Sequence, residues 1–221
     1  MYSVPFSNEN LYLPPAHLKA LRLNTHIVVG GRGVGKSFLA SALQSAPLRG
    51  QLGATFAELL ELQDIDVFLG FGNDEAIENY PNNDVFSNFL DQNGDPYDLW
   101  RAVILRWVAR RNCVDIPGKN WQATVDWLKQ KPEDAARLMQ FPRNWKGLVI
   151  FDALDRTSSN WLHRDDIVRG LMRAVLWLKS FPGLYAKAFL REEQAERTIF
   201  NFPDSSKILA TKTKLNACFV F

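Results

Sequence analysis

Cysteine is scarce. The 221 residues hold two, Cys113 and Cys218, too far apart to form a ligand pair. That argues against a disulfide framework and a zinc site, and it suits a reducing cytoplasm. An excess of one charge is missing too: 26 basic residues face 24 acidic ones, a net +2. Composition therefore does not demand a nucleic-acid partner. No apolar run approaches the roughly 20 residues needed to cross a bilayer, so no membrane association is expected. The stretch from Met1 to Asn10 has neither a basic nor an apolar region, so no signal peptide is expected. What remains is ordinary globular material, 47% apolar and 23% charged. Residues 1–221 are enough for one domain with a real core.

The most informative stretch is Gly30-Gly31-Arg32-Gly33-Val34-Gly35-Lys36-Ser37. It fits G-x-x-x-x-G-K-[ST], the phosphate-binding P-loop pattern. Before it, His26-Ile27-Val28-Val29 reads as a buried strand. After it, Ser37 to Leu43 reads as a helix, with Phe38, Leu39, Ala42 and Leu43 apolar. Glycines let successive N–H groups converge on an anion, and the helix start adds unsatisfied donors and the positive end of its dipole. The candidate binding set is Gly30 to Phe38. Lys36 would reach the β- and γ-phosphates, and Ser37 would give its hydroxyl to Mg²⁺. The alternative is a chance glycine-rich turn.

The second constellation is Leu148-Val149-Ile150-Phe151-Asp152-Ala153-Leu154-Asp155-Arg156. Four consecutive apolar residues suit a strand buried on both faces, as in a parallel sheet. An aspartate at its C-terminal end reaches the crevice where open α/β sheets bind ligands. This is a Walker B arrangement, with Asp152 as a metal ligand. Asp155 is either the residue that polarises the attacking water, or a helix cap, or a partner of Arg156. Leu184 to Arg191 reads as the next strand, and Arg191 either senses the γ-phosphate or is a surface arginine.

Elsewhere the pattern predicts a short helix from Ala16 to Leu23, near the adenine end of a nucleotide, after an extended arm over 1–13. A break follows at Ala46–Gly50, then a helical turn at Phe56–Leu62 and a second strand at Ile65–Gly72. Residues 72–98, rich in Asn, Asp, Gly and Pro, read as a turn-rich surface connection. Helices are expected at Leu99–Arg111, Trp121–Lys131, Pro132–Gln140 and Trp161–Leu178, and a last strand at Lys207–Leu215. All seven tryptophans lie between Trp100 and Trp177, interleaved with arginines. They form either a nucleic-acid or partner surface, or helical packing with snorkelling arginines, which is the favoured alternative.

With these motifs in hand, the chain resembles the P-loop ATPases that carry an additional strand between Walker A and Walker B, and within them the KAP and STAND (NACHT-like) branches. The second acid in Asp152-Ala153-Leu154-Asp155 and the arginine of Phe189-Leu190-Arg191 carry the resemblance. It covers about residues 24–45 and 146–210 and implies a three-layer α/β domain with a mostly parallel sheet; the helices read over 73–145 fall outside it, as a helical insertion. It implies Mg²⁺-dependent ATP binding and hydrolysis, with Lys36, Asp155 and Arg191 catalytic and with Ser37 and Asp152 on the metal. Many such proteins are bacterial regulatory or antiphage-defence ATPases. Their usual helical lid would follow Phe221, so either it is absent or a partner or longer parent chain supplies it; with no in-chain arginine finger identified, slow turnover is expected, raised by a protein partner or a homo-oligomer. The rivals are a non-hydrolysing ATP-binding scaffold, a nucleic-acid motor and, less favoured, a small-molecule kinase.

Overall fold

A computed structural model describes residues 13–74, 76, 78–199 and 205–216. The arm expected over 1–13, apart from Leu13, and the final Cys218–Phe221 lie outside these. In chain order the elements are α1 (Pro15–Leu21), β1 (Ile27–Gly30), α2 (Lys36–Gln44), α3 (Ala46–Thr55), β2 (Asp66–Phe71), α4 (Asn83–Asp91) and α5 (Pro96–Arg111). There follow α6 (Trp121–Gln130), α7 (Pro132–Leu138), β3 (Gly147–Phe151), α8 (Trp161–Leu178), β4 (Leu184–Leu190), α9 (Glu192–Ile199), α10 (Ser205–Leu209) and β5 (Lys212–Leu215). Short 3-10 turns occupy Ala57–Leu62 and Leu154–Arg156.

The five strands form one parallel sheet in the order β2-β3-β4-β1-β5. Side chains alternate across each strand, so both faces of the sheet are used. Val28, Leu148, Ile150 and Phe189 pack under α1, α2 and α3 with Leu21, Leu39, Leu43 and Leu52. Val29, Val149, Phe151 and Ala188 face the other way, against Trp100 and Val103 of α5 and Leu171 and Val175 of α8. The result is a three-layer α/β architecture. Between β2 and β3 the chain carries α4, α5, α6 and α7, and α5 shares that second core with the strands.

Three expectations need correction. Ala46–Gly50 is not a break. Ser45 caps α3 by accepting the Leu48 N–H, and Pro47 falls in the first turn, where a missing N–H costs nothing. Residues 72–98 are not a bare surface loop, since they contain α4. Asn82 caps that helix by accepting the Val85 N–H at 3.0 Å, and Tyr80, Phe86 and Phe89 are buried. Here the polar residues are caps around an aromatic core. Finally, the strand expected from Lys207 begins only at Lys212, because α10 occupies the residues before it.

The tryptophans serve packing more than surface. Trp100 is fully buried and donates its Nε1–H to the Ile167 carbonyl at 2.9 Å. The Arg106 guanidinium lies 3.8 Å over the ring of buried Trp121, and Arg101 lies 4.7 Å over Trp177. Trp161, at the start of α8, is exposed.

Candidate active site

The C-terminal ends of β1, β3 and β4 lie side by side, and each contributes to one cleft. From β1 the chain leaves the sheet at Gly30 and passes through Gly33 (φ 82°) and Gly35 (φ 91°) before α2 begins at Lys36. These two left-handed positions curl the loop in a way that side chains resist. Gly35 caps α2 without a side chain, so the first N–H groups of the helix stay available to a ligand. Lys36 folds back over its own loop, donating from Nζ to the carbonyls of Gly30 (2.8 Å) and Gly31 (2.6 Å). Burial holds its pKa below the ordinary lysine value, against the opposing pull of Asp152.

The loop is braced from both sides. His17 of α1 donates its Nε2–H to the Val34 carbonyl at 3.0 Å. Glu192, opening α9, approaches the loop at Gly31 and pairs with Lys214 of β5 at 2.9 Å. The Lys214 hydrogen bond is the main reason the Glu192 carboxyl is held below its usual range.

At the end of β3, Asp152 is 7% exposed, and its N–H donates to the Phe71 carbonyl at 2.9 Å. The next residue, Ala153, adopts φ 54°, a left-handed reversal uncommon for alanine. The 3-10 turn that follows, anchored by buried Leu154, carries Asp155 back to the cleft. There Asp155 meets Arg191 at the tip of β4, with Nη2 to Oδ2 at 2.6 Å. Asp155 therefore pairs with Arg191 and not with Arg156, which donates to the Asn73 carbonyl at 2.7 Å instead.

The cleft, about 360 Å³, is lined by Arg32, Gly33, Gly35, Lys36, Ser37 and Phe38 from the loop and by Asp152, Asp155 and Arg191 from the neighbouring strands. Gly30, Gly31 and Val34 do not line it. Gly30 and Gly31 present carbonyls to Lys36, and the Val34 side chain is buried under α1 and α2. Phe38 also borders an apolar groove with Leu13 and Leu21, on the α1 side where the base end was expected. Past Asn73, Asp155 and Arg156 the cleft adjoins a second one of similar volume, walled by Tyr80, Asn82 and Ser158.

Sequence reasoning missed Asn73, Gln194, His17 and Glu192, and read Arg156 only as a possible partner of Asp155. Asn73 follows the end of β2, and strand ends of an open α/β sheet were the available signal. Gln194 stands three residues after Arg191 at capping-box spacing. Nothing in the pattern marks His17.

Ser37 and Asp152 offer a hydroxyl and a carboxylate to the same cleft. Among the described residues no group of three or more His, Cys, Asp or Glu side chains could hold a metal. Two oxygen donors fit a hard cation such as Mg²⁺, which keeps several waters, and offer none of the nitrogen or sulfur ligands that zinc or copper sites use. Among the described residues no helix is long and apolar enough to cross a membrane. Comparison with family models, with curated proteins and with solved structures finds no match to this chain.

Proposed function

We propose that this chain binds Mg²⁺·ATP and hydrolyses it slowly, as a conformational switch within a larger assembly. The observation that carries this reading is the convergence in one cleft of Lys36, Ser37, Asp152, Asp155 and Arg191 from the ends of three adjacent strands. A chance glycine-rich turn would have no reason to meet two acids and an arginine brought from residues 152–191. The strand order adds support, since β4 separates the loop-bearing β1 from the Asp152-bearing β3, as the additional-strand ATPases would require.

In this proposal the N–H groups at the start of α2 hold the phosphates and Lys36 leaves the Gly30 and Gly31 carbonyls for phosphoryl oxygens. Mg²⁺, when bound at Ser37 and Asp152, supplies charge neutralisation to the phosphates. Asp155 orients a water whose oxygen bonds to the γ-phosphorus as the bond to the β–γ bridging oxygen breaks, releasing ADP and phosphate. Arg191 neutralises charge on the γ-phosphoryl oxygens. Turnover is slow because Asp155 starts bound to Arg191 and must be released first. A regulatory or defence role, with a protein partner or second copy completing the site, extends the same reading.

The Arg191–Asp155 pair also favours a second reading, an ATP-binding module that never turns over. Phosphate release over a protein-concentration series separates the two, with Asp155→Asn as the control. The switch reading expects measurable release that Asp155→Asn lowers about 100-fold while ATP binding persists. Wild type that binds ATP without release at any concentration supports the binding module.

A further inference from the structure

Gln194 stands in the first turn of α9 and is 4% exposed. Its Oε1 accepts the N–H of Arg191 at 3.2 Å. A peptide N–H can be met only by the oxygen end of the amide, which fixes the orientation of the group. The other end, Nε2, is buried and has no hydrogen-bond partner. Buried donors of this kind are few in native proteins, and each asks for an explanation. Gln194 is also part of the wall of the cleft that holds Lys36, Asp155 and Arg191.

The surroundings say what partner would suit it. Nε2 can only donate, so the missing partner is an acceptor. Four cations, Arg32, Lys36, Arg156 and Arg191, line the same cleft against two carboxylates, Asp152 and Asp155, so positive charge prevails and an acceptor carrying negative charge is favoured there. Glu192 pairs with Lys214, the β5 residue in register with Val29 just before the loop, which docks the first turn of α9 beside the carbonyls that hold Lys36. That is the phosphate end of the cleft, away from the apolar groove by Phe38 and Leu13. The amide is also preset. Its oxygen is held by Arg191 N–H, and α9 is tied to α8 through Arg197 and Asp165 at 3.0 Å.

We propose that Gln194 Nε2 donates to the terminal phosphoryl group of a bound nucleoside triphosphate, so that α9 distinguishes triphosphate from diphosphate. The inference rests on the nucleotide-binding reading above. It adds a binding residue and assigns the preference for the triphosphate to a helix that no motif marks.

Calorimetric titration with Mg²⁺·AMP-PNP and Mg²⁺·ADP tests it on wild type, Gln194→Glu and Gln194→Met. Gln194→Glu keeps the oxygen that caps α9 and puts a carboxylate oxygen where the donor was. Gln194→Met removes both groups at similar length, and it reads the same ratio if the glutamate variant does not fold. The expected result is that wild type prefers AMP-PNP, and that each folded variant loses about tenfold or more in AMP-PNP affinity while ADP affinity changes less than about threefold. An unchanged preference, or equal weakening for both nucleotides, overturns the proposal. Wild type that binds both without preference overturns it while leaving nucleotide binding intact. Wild type that binds neither overturns the underlying reading and this inference with it.

Discussion

Lys187 rises from β4 into the layer beneath α1 and is fully enclosed. Its Nζ donates to the carbonyls of Ala20 (2.6 Å), Arg22 (2.9 Å) and Thr25 (2.5 Å). Carbonyls at a helix end lack intrahelical partners, so this one ammonium satisfies the end of α1, the helix whose His17 braces the loop. Burial pulls its pKa from 10.5 down to about 7. The folded state thus gives up the proton near pH 7, and the unfolded state gives it up only near 10.5. Between those values the unfolded chain binds more protons, so this residue makes the fold gain stability as pH rises. Below pH 7 both states are protonated and the contribution is flat. Denaturant unfolding over this range, on wild type and Lys187→Met, should show a rising component in wild type that the variant lacks. Parallel profiles would contradict it. Nothing in the sequence of Leu184-Tyr185-Ala186-Lys187-Ala188 announces this role, since a strand lysine is usually taken to face water. Gly33, Gly35 and Lys36 were legible because their chemistry is local, whereas the partners of Lys187 and Gln194 depend on what folds against them.

The packing of α5 on α8 decides whether the helical layer can cover the sheet. It depends on Gly170. A Cβ there would fall 2.7 Å from the Tyr97 nitrogen and 2.8 Å from the Pro96 carbonyl carbon, both in the backbone of the first turn of α5. Alanine would gain about 1 kcal/mol in helix propensity, while forcing the helices apart costs about 1–3 kcal/mol. The obstructing atoms are backbone and cannot rotate away, so the clash should win. Gly170→Ala is expected to be less stable by about 1–2 kcal/mol in chemical denaturation, and a variant as stable as wild type would contradict the account. The long elements α5 and α8 were readable from their apolar patterning; α8 runs from Trp161 to Leu178 as expected, while α5 begins at Pro96, ahead of the expected Leu99. The short ones were not. The apolar anchors of α4, Phe86 and Phe89, sit among Asn and Asp residues that look like turn material until Asn82 is seen as a cap. Glu192 and Glu193 at the start of α9 were a usable signal, since acids suit a helix N-terminus.

The whole molecule turns on where the sheet sends its strand ends. With β4 between β1 and β3, the glycine loop, Asp152 and Arg191 open onto one crevice. Two apolar runs ending in charged side chains, Val149 to Asp152 and Ala188 to Arg191, were enough to suggest this arrangement from sequence. The pairing of Asp155 with Arg191 was not, because the left-handed turn at Ala153 that aims Asp155 has no signature in an Asp-Ala-Leu-Asp string. We propose that this crevice holds the phosphates of ATP. The most direct test is equilibrium binding of Mg²⁺·ATP to wild type and to Lys36→Ala, with thermal melting to show that both are folded. Wild type is expected to bind saturably, and the variant with an affinity lower by about tenfold to a hundredfold. No saturable binding by folded wild type, or equal affinity in both proteins, would contradict it.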